Sequence, residues 1–168
     1  NEYVEYMYSL RVYFILLPVI GAIASSQSHT LSRKIATLQT DDLKEYINKY
    51  LIFTLSMSIM MFVFIYLAGD HIIYIISGEY HPISFNALII LSLSFIVIGI
   101  STPFIQSLIF SKMIKDVAKI HVYSMLFAII ISYFLVDTYG ILGGASVQVL
   151  IEFMICIWGI VLFKRVKW

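Results

Sequence analysis

The sequence predicts an all-α membrane protein, a bundle of about five transmembrane helices. Three observations carry this. The 168 residues are 61 % hydrophobic and 12 % charged, with a mean hydropathy of +0.94, which is more apolar surface than one small soluble core buries. The apolar residues fall in blocks of about twenty, the length a helix rising about 1.5 Å per residue needs to cross about 30 Å of hydrocarbon. Basic residues are confined to alternate connections between the blocks. A membrane barrel would instead alternate apolar and polar residues over segments of about ten, and no such alternation is present.

The blocks are 6–28, 50–68, 85–110, 120–136 and 142–163, each long enough to span. The connections between them are of two kinds. Basic ones hold Arg33, Lys34, Lys44 and Lys49, then Lys112, Lys115 and Lys119, and in the tail Lys164, Arg165 and Lys167. The others, 69–84 and the short turn 137–140, have neither Lys nor Arg. Of the 11 basic residues only Arg11 lies outside the basic connections. Positive charge accumulates on the cytoplasmic side of membrane proteins, so the basic side is expected inside and the C-terminus with it.

Within the segment 31–49, Leu31, Ile35 and Leu38 and then Leu43, Tyr46 and Ile47 recur at helical spacing with charges between them. This predicts one or two interfacial amphipathic helices lying on the inner leaflet. Thr40, Asp41 and Asp42 mark a helix start, because oxygens there accept the unpaired N–H groups of a first turn. The outer stretch 72–76 is too short to span and is cut by Gly78; it is expected to extend the second helix or to dip into the headgroups.

Residues that hydrocarbon should reject are the informative ones. Arg11 lies about one and a half turns into the first span, and Glu152 near the middle of the fifth. A charge at the bilayer centre costs about 2.5–3.5 kcal/mol unless it meets a partner or water. Arg11 is near enough to the outer end to snorkel or to line a cavity as a cation. Glu152 is too deep for snorkelling, and is expected in an interhelical contact or a cavity; a pair with Arg11 is possible by depth.

Small and polar residues form stripes: Ala145, Gln148, Glu152, Cys156 and Gly159 in the fifth span, Ser124, Ala128 and Ser132 in the fourth, and Ser92, Gly99, Thr102 or Pro103, and Gln106 in the third. Such stripes are where membrane helices touch, and the lone Cys156 is read as packing. Gln106, Thr102 and Gln148 are the residues best placed to line an aqueous path. Pro18 and Pro103 lie inside spans, where each removes a backbone hydrogen bond and kinks its helix, which makes them hinge candidates.

Other classes find little support. Net charge of +1 predicts no nucleic-acid partner. His71, Glu79 and His81 lack the i, i+4 spacing of a helical zinc site, so no metal and no cofactor is expected. Neither a phosphate-binding glycine loop nor a nucleophile elbow is present, and the chain is not expected to be an enzyme.

The basic "LSRKIA" segment, "DDLKEYINKY" before the second span, the outer "IISGEYHPISFNALIILSLSF" and the "YGILGGASVQVLIE" entry to the last helix together resemble the C-terminal half of polysaccharide (O-antigen type) flippases of the multidrug, oligosaccharidyl-lipid and polysaccharide exporter superfamily. The resemblance covers nearly the whole chain. It implies a larger transporter of two helical bundles around a cationic cavity, moving a lipid-linked oligosaccharide from the inner to the outer leaflet, with Arg11 facing the cargo and Glu152 as an ion-coupling or structural group. Five spans are fewer than such a transporter needs, and the chain starts at Asn1. Missing N-terminal helices or a second chain are therefore expected partners, besides the lipid bilayer. The alternatives are a drug or cation exporter of the same superfamily, or an enzyme or scaffold of cell-envelope glycan synthesis.

Overall fold

The computed structural model describes residues 2–37, 40–78 and 84–166. Among these the regular structure is helical throughout: α1 (Glu2–Ser26), α2 (Ser28–Ala36), α3 (Thr40–Ser77), α4 (Phe85–Phe110) and α5 (Ile114–Arg165). Four stretches, Tyr3–Ala36, Asp42–Ile75, Phe85–Phe110 and Ile114–Arg165, are long and apolar enough to cross a membrane. The protein is an all-α, multi-pass membrane bundle.

The 52 residues of α5 would reach about 78 Å as a straight helix, more than twice the hydrocarbon thickness. They do not run straight. Gly140 has φ 56° and ψ −128°, a backbone conformation open to glycine and strained for other residues. Beyond it the chain turns back, so that a Cβ on Gly143 would run into the backbone of Leu135. Residues eight apart on a straight helix are separated by about 12 Å. The two arms of α5, 114–139 and 141–165, therefore form an antiparallel hairpin, and the described residues hold five membrane-length segments.

The second apolar block is only the middle of α3, whose 38 residues also absorb both flanking stretches. The outer stretch 72–76 continues the helix, which ends at Gly78 with φ 75° and a bond from the Gly78 N–H to the Tyr74 carbonyl at 2.9 Å, the usual glycine stop. Of the one or two amphipathic helices expected over 31–49, one stands apart as α2 and the other is continuous with α3. Only α2 is a separate short helix, and Leu43, Tyr46 and Ile47 belong to the first turns of α3. Their apolar side is covered by protein: Leu31, Leu43, Ile47 and Tyr50 form a buried cluster with Phe104, Phe110 and Phe163 packed against it. Leu38 lies outside the described residues.

Helix α4 is the centre, contacting α1, α2, α3 and α5. It is apolar all round, as a helix surrounded by others must be, and its buried serines satisfy themselves. Ser92, Ser94 and Ser107 donate to the carbonyls of Leu88, Leu91 and Pro103, each at 2.6 Å. A second buried cluster joins Val12, Tyr13 and Leu16 of α1, Ile65 and Ile73 of α3, Leu88, Leu91 and Phe95 of α4 and Ala145 of α5.

Candidate functional site

Helix α1 buries Ser9, Val12, Tyr13, Leu16 and Ile20, positions that fall on one face at helical spacing. That face sets Tyr13 against α4, where its ring stacks on Phe95 with centroids 4.8 Å apart. The Tyr13 hydroxyl is hydrogen-bonded to Ser94 Oγ at 3.0 Å. From α5, the Gln148 side-chain amide donates to the Tyr13 hydroxyl at 3.4 Å and to Glu152 Oε1 at 3.1 Å. Gln148 and Glu152 are one turn apart on one arm, which is what lets a single amide with two N–H donors serve both partners.

The other arm of α5 contributes His121, which interacts electrostatically with Glu152. Its Nδ1 lies 2.9 Å from the Val117 carbonyl. A carbonyl only accepts, so this nitrogen carries the proton. Ser124, on the next turn of the same arm, is fully buried, and its hydroxyl has no hydrogen-bond partner among the described residues. The result is a polar chain across three helices, Ser94–Tyr13–Gln148–Glu152, with an imidazole beside its acidic end. Such a set of groups can hold a proton or a small cation within the bundle.

Comparison with family models, curated proteins and solved structures finds no match. What the site does is therefore argued from its own geometry.

The residues singled out in the sequence divide into two groups. Gln148 and Glu152 come together in the polar chain. Arg11 does not join them: two residues before Tyr13, it is turned about 200° around α1, where it is exposed and its guanidinium sits 5.2 Å from the Tyr8 ring centroid. The Arg11–Glu152 pair allowed by depth is not formed; the ion pairs among the described residues are Glu45–Lys49 and Asp116–Lys119. Gln106 is half-buried and about 18 Å along α4 from Ser94, and Thr102 donates to its own helix at the Ile98 carbonyl, 2.7 Å away. Cys156 is buried.

Pro18 lies on the exposed side of α1, whereas Pro103 is fully buried in α4. Pro103 has no N–H for the Gly99 carbonyl, four residues earlier. Thr54 Oγ1 of α3 donates to that carbonyl at 2.7 Å. The helices approach closely there, since a Cβ on Gly99 would overlap the Ser58 side chain. The hydrogen bond that Pro103 removes within α4 is thus replaced by one from α3.

His71 is exposed on α3, and Glu79 and His81 lie outside the described residues, as does Tyr80 of the G-x-Y pattern. Among the described residues no three His, Cys, Asp or Glu side chains group as metal ligands do. Sequence reasoning overlooked His121, Tyr13 and Ser94. His121 had a signal: it is the second residue of the fourth apolar block, and the rule that drew attention to Glu152 applies to it. Tyr13 and Ser94 had none, because Tyr and Ser are ordinary in membrane helices.

Proposed function

We propose that the chain is part of a transporter of the bacterial inner membrane, with its C-terminus in the cytoplasm, and that its cargo is a lipid-linked oligosaccharide carried from the inner to the outer leaflet. The observation that carries the transport reading is the polar chain through the middle of the bundle. Packing alone does not call for a carboxylate, an imidazole and an unpartnered serine hydroxyl at this depth, where each ionisable group is costly. Groups of this kind inside membrane bundles mark ion and substrate pathways. Arg11, on an open face of α1 among apolar neighbours, supports an anionic partner, and a lipid pyrophosphate is the anionic group of such a cargo. The cytoplasmic side rests on the distribution of the basic residues.

The test is to replace Arg11 by Ala and Glu152 by Gln separately in the complete transporter and to measure surface glycan alongside membrane insertion. Loss of surface glycan with normal insertion is the expected result. Normal glycan with both substitutions sinks the assignment.

A second reading, an ion-coupled exporter of drugs or cations, is favoured by the electrostatic interaction of His121 on one arm of α5 with Glu152 on the other. It predicts that Glu152→Gln abolishes gradient-driven efflux of a cationic dye and leaves glycan untouched.

A further inference from the structure

We propose that the groove between the two arms of α5 binds one acyl chain of an anionic glycerophospholipid, whose headgroup is held by Lys115 and Lys119. The inference does not depend on the transport reading. The groove has a volume of about 450 Å³ and runs from Asp116 and Lys119 at one end, over Ile120, Tyr123 and Phe127 of the first arm and Met154, Trp158 and Leu162 of the second.

Three features identify the occupant. The first is length. From Asp116 to Phe127 is eleven residues, or about 17 Å of helix, close to the roughly 15 Å that one leaflet contributes to the hydrocarbon. The second is charge. The antiparallel arms bring both ends of α5 together at the polar mouth, where Lys112, Lys115, Lys119, Lys164 and Arg165 are all exposed and Asp116 is the acid, paired with Lys119 at 3.3 Å. Clusters of this sign beside a membrane helix attract anionic headgroups. The third is the lining. Another helix would need small residues to come close, whereas this groove is walled by Tyr123, Phe127, Met154 and Trp158, bulky groups that leave room for a thin hydrocarbon chain.

Trp158 is about half exposed, at 49 %, and sits in the groove wall, so it reports on the occupant directly. In the full chain carrying Trp168→Phe, Trp158 fluorescence is measured in bilayers containing rising fractions of brominated phosphatidylglycerol or brominated phosphatidylcholine. The expected result is half-maximal quenching at an about tenfold lower mole fraction of the anionic lipid, of the order two lysines near the headgroups supply. Replacing Lys115 and Lys119 by Gln should merge the two curves, and Lys119→Arg should keep them apart. Both lysines are exposed, so the bundle is expected to fold in each variant, which an unchanged far-UV circular dichroism spectrum checks. Equal quenching by both lipids in the unsubstituted groove overturns the proposal, as does a preference that survives the double substitution. Absence of quenching by either lipid also overturns it, since protein would then cover the groove.

Discussion

Thr54→Val should cost far more than the loss of an ordinary hydroxyl, and it should do so only while Pro103 is present. The hydroxyl of Thr54 donates across the α3–α4 contact to the Gly99 carbonyl at 2.7 Å, and also lies 3.0 Å from the Tyr50 carbonyl of its own helix. The Tyr50 carbonyl keeps its helical N–H donor when the hydroxyl is removed. The Gly99 carbonyl does not, because its helical donor would be the missing N–H of Pro103. Leaving a buried acceptor unsatisfied costs about 1–3 kcal/mol, and interhelical hydrogen bonds in membranes average about 0.6 and reach about 1.7 kcal/mol. A loss of about 1–2 kcal/mol follows. In a Pro103→Ala background the alanine N–H returns to Gly99, and Thr54→Val should then cost under about 0.5 kcal/mol. The assay is reversible unfolding in mixed micelles, followed by circular dichroism, for the wild type, both single variants and the double variant. Independent sites add to within about 0.3–0.5 kcal/mol, so a coupling energy inside that range would refute the account of Pro103 and Thr54 as one unit.

Three further outcomes are expected. Gly140→Ala should destabilise the bundle by about 1–3 kcal/mol, the range for a residue held in a strained backbone region, and Gly143→Ala by more, since its Cβ overlaps the Leu135 backbone; equal small effects in the same micelle unfolding assay would contradict the hairpin. Tyr13→Phe keeps the stacked ring on Phe95 and removes the hydroxyl that Ser94 and Gln148 reach, for a loss of about 0.5–1.5 kcal/mol; no change in unfolding midpoint would mean the polar chain is not formed. In a Cys156→Ser background, a cysteine at Lys115 should be labelled by an impermeant maleimide only from the cytoplasmic face and one at Asp70 only from outside, and the reverse pattern would overturn the orientation.

What the sequence made legible follows from which signals are local. Helix α4 coincides with the block 85–110 because its limits are compositional: no charged residue interrupts the mostly apolar run from Phe85 to Phe110 between polar connections. The hairpin in α5 was visible as the break 137–140, since a helix cannot stay in hydrocarbon for 52 residues without turning back. The start of α3 at Thr40 was legible, but its continuity with the second span was not, for a physical reason. An amphipathic period says that one face seeks an apolar environment, and lipid and protein satisfy it equally. Whether Leu43 and Ile47 meet the leaflet or Leu31 and Tyr50 is decided by where the other helices end, which no local pattern encodes.

The polar chain shows the same limit in sharper form. Glu152 stood out because a carboxylate in an apolar block needs a reason, and Gln148 because it shares the face. Their partners are distant in the chain: Tyr13 is 135 residues from Gln148 and 81 from Ser94, and only the packing of α1 beside α4 and the second arm of α5 brings them together. The sequence equally could not tell that the two charges it singled out have opposite fates. Arg11 and Tyr13 are two residues apart, and on a helix that separation puts them on nearly opposite sides; burying Tyr13 against Phe95 therefore turns Arg11 outward. Once Tyr13 is fixed, Arg11 cannot neutralise Glu152. Within the bundle the Glu152 carboxyl meets the amide of Gln148, whereas Arg11 stands on the exposed side of α1. That separation of an internal acid from an outward cation, imposed by one buried ring, is the physical basis for assigning the two residues different tasks.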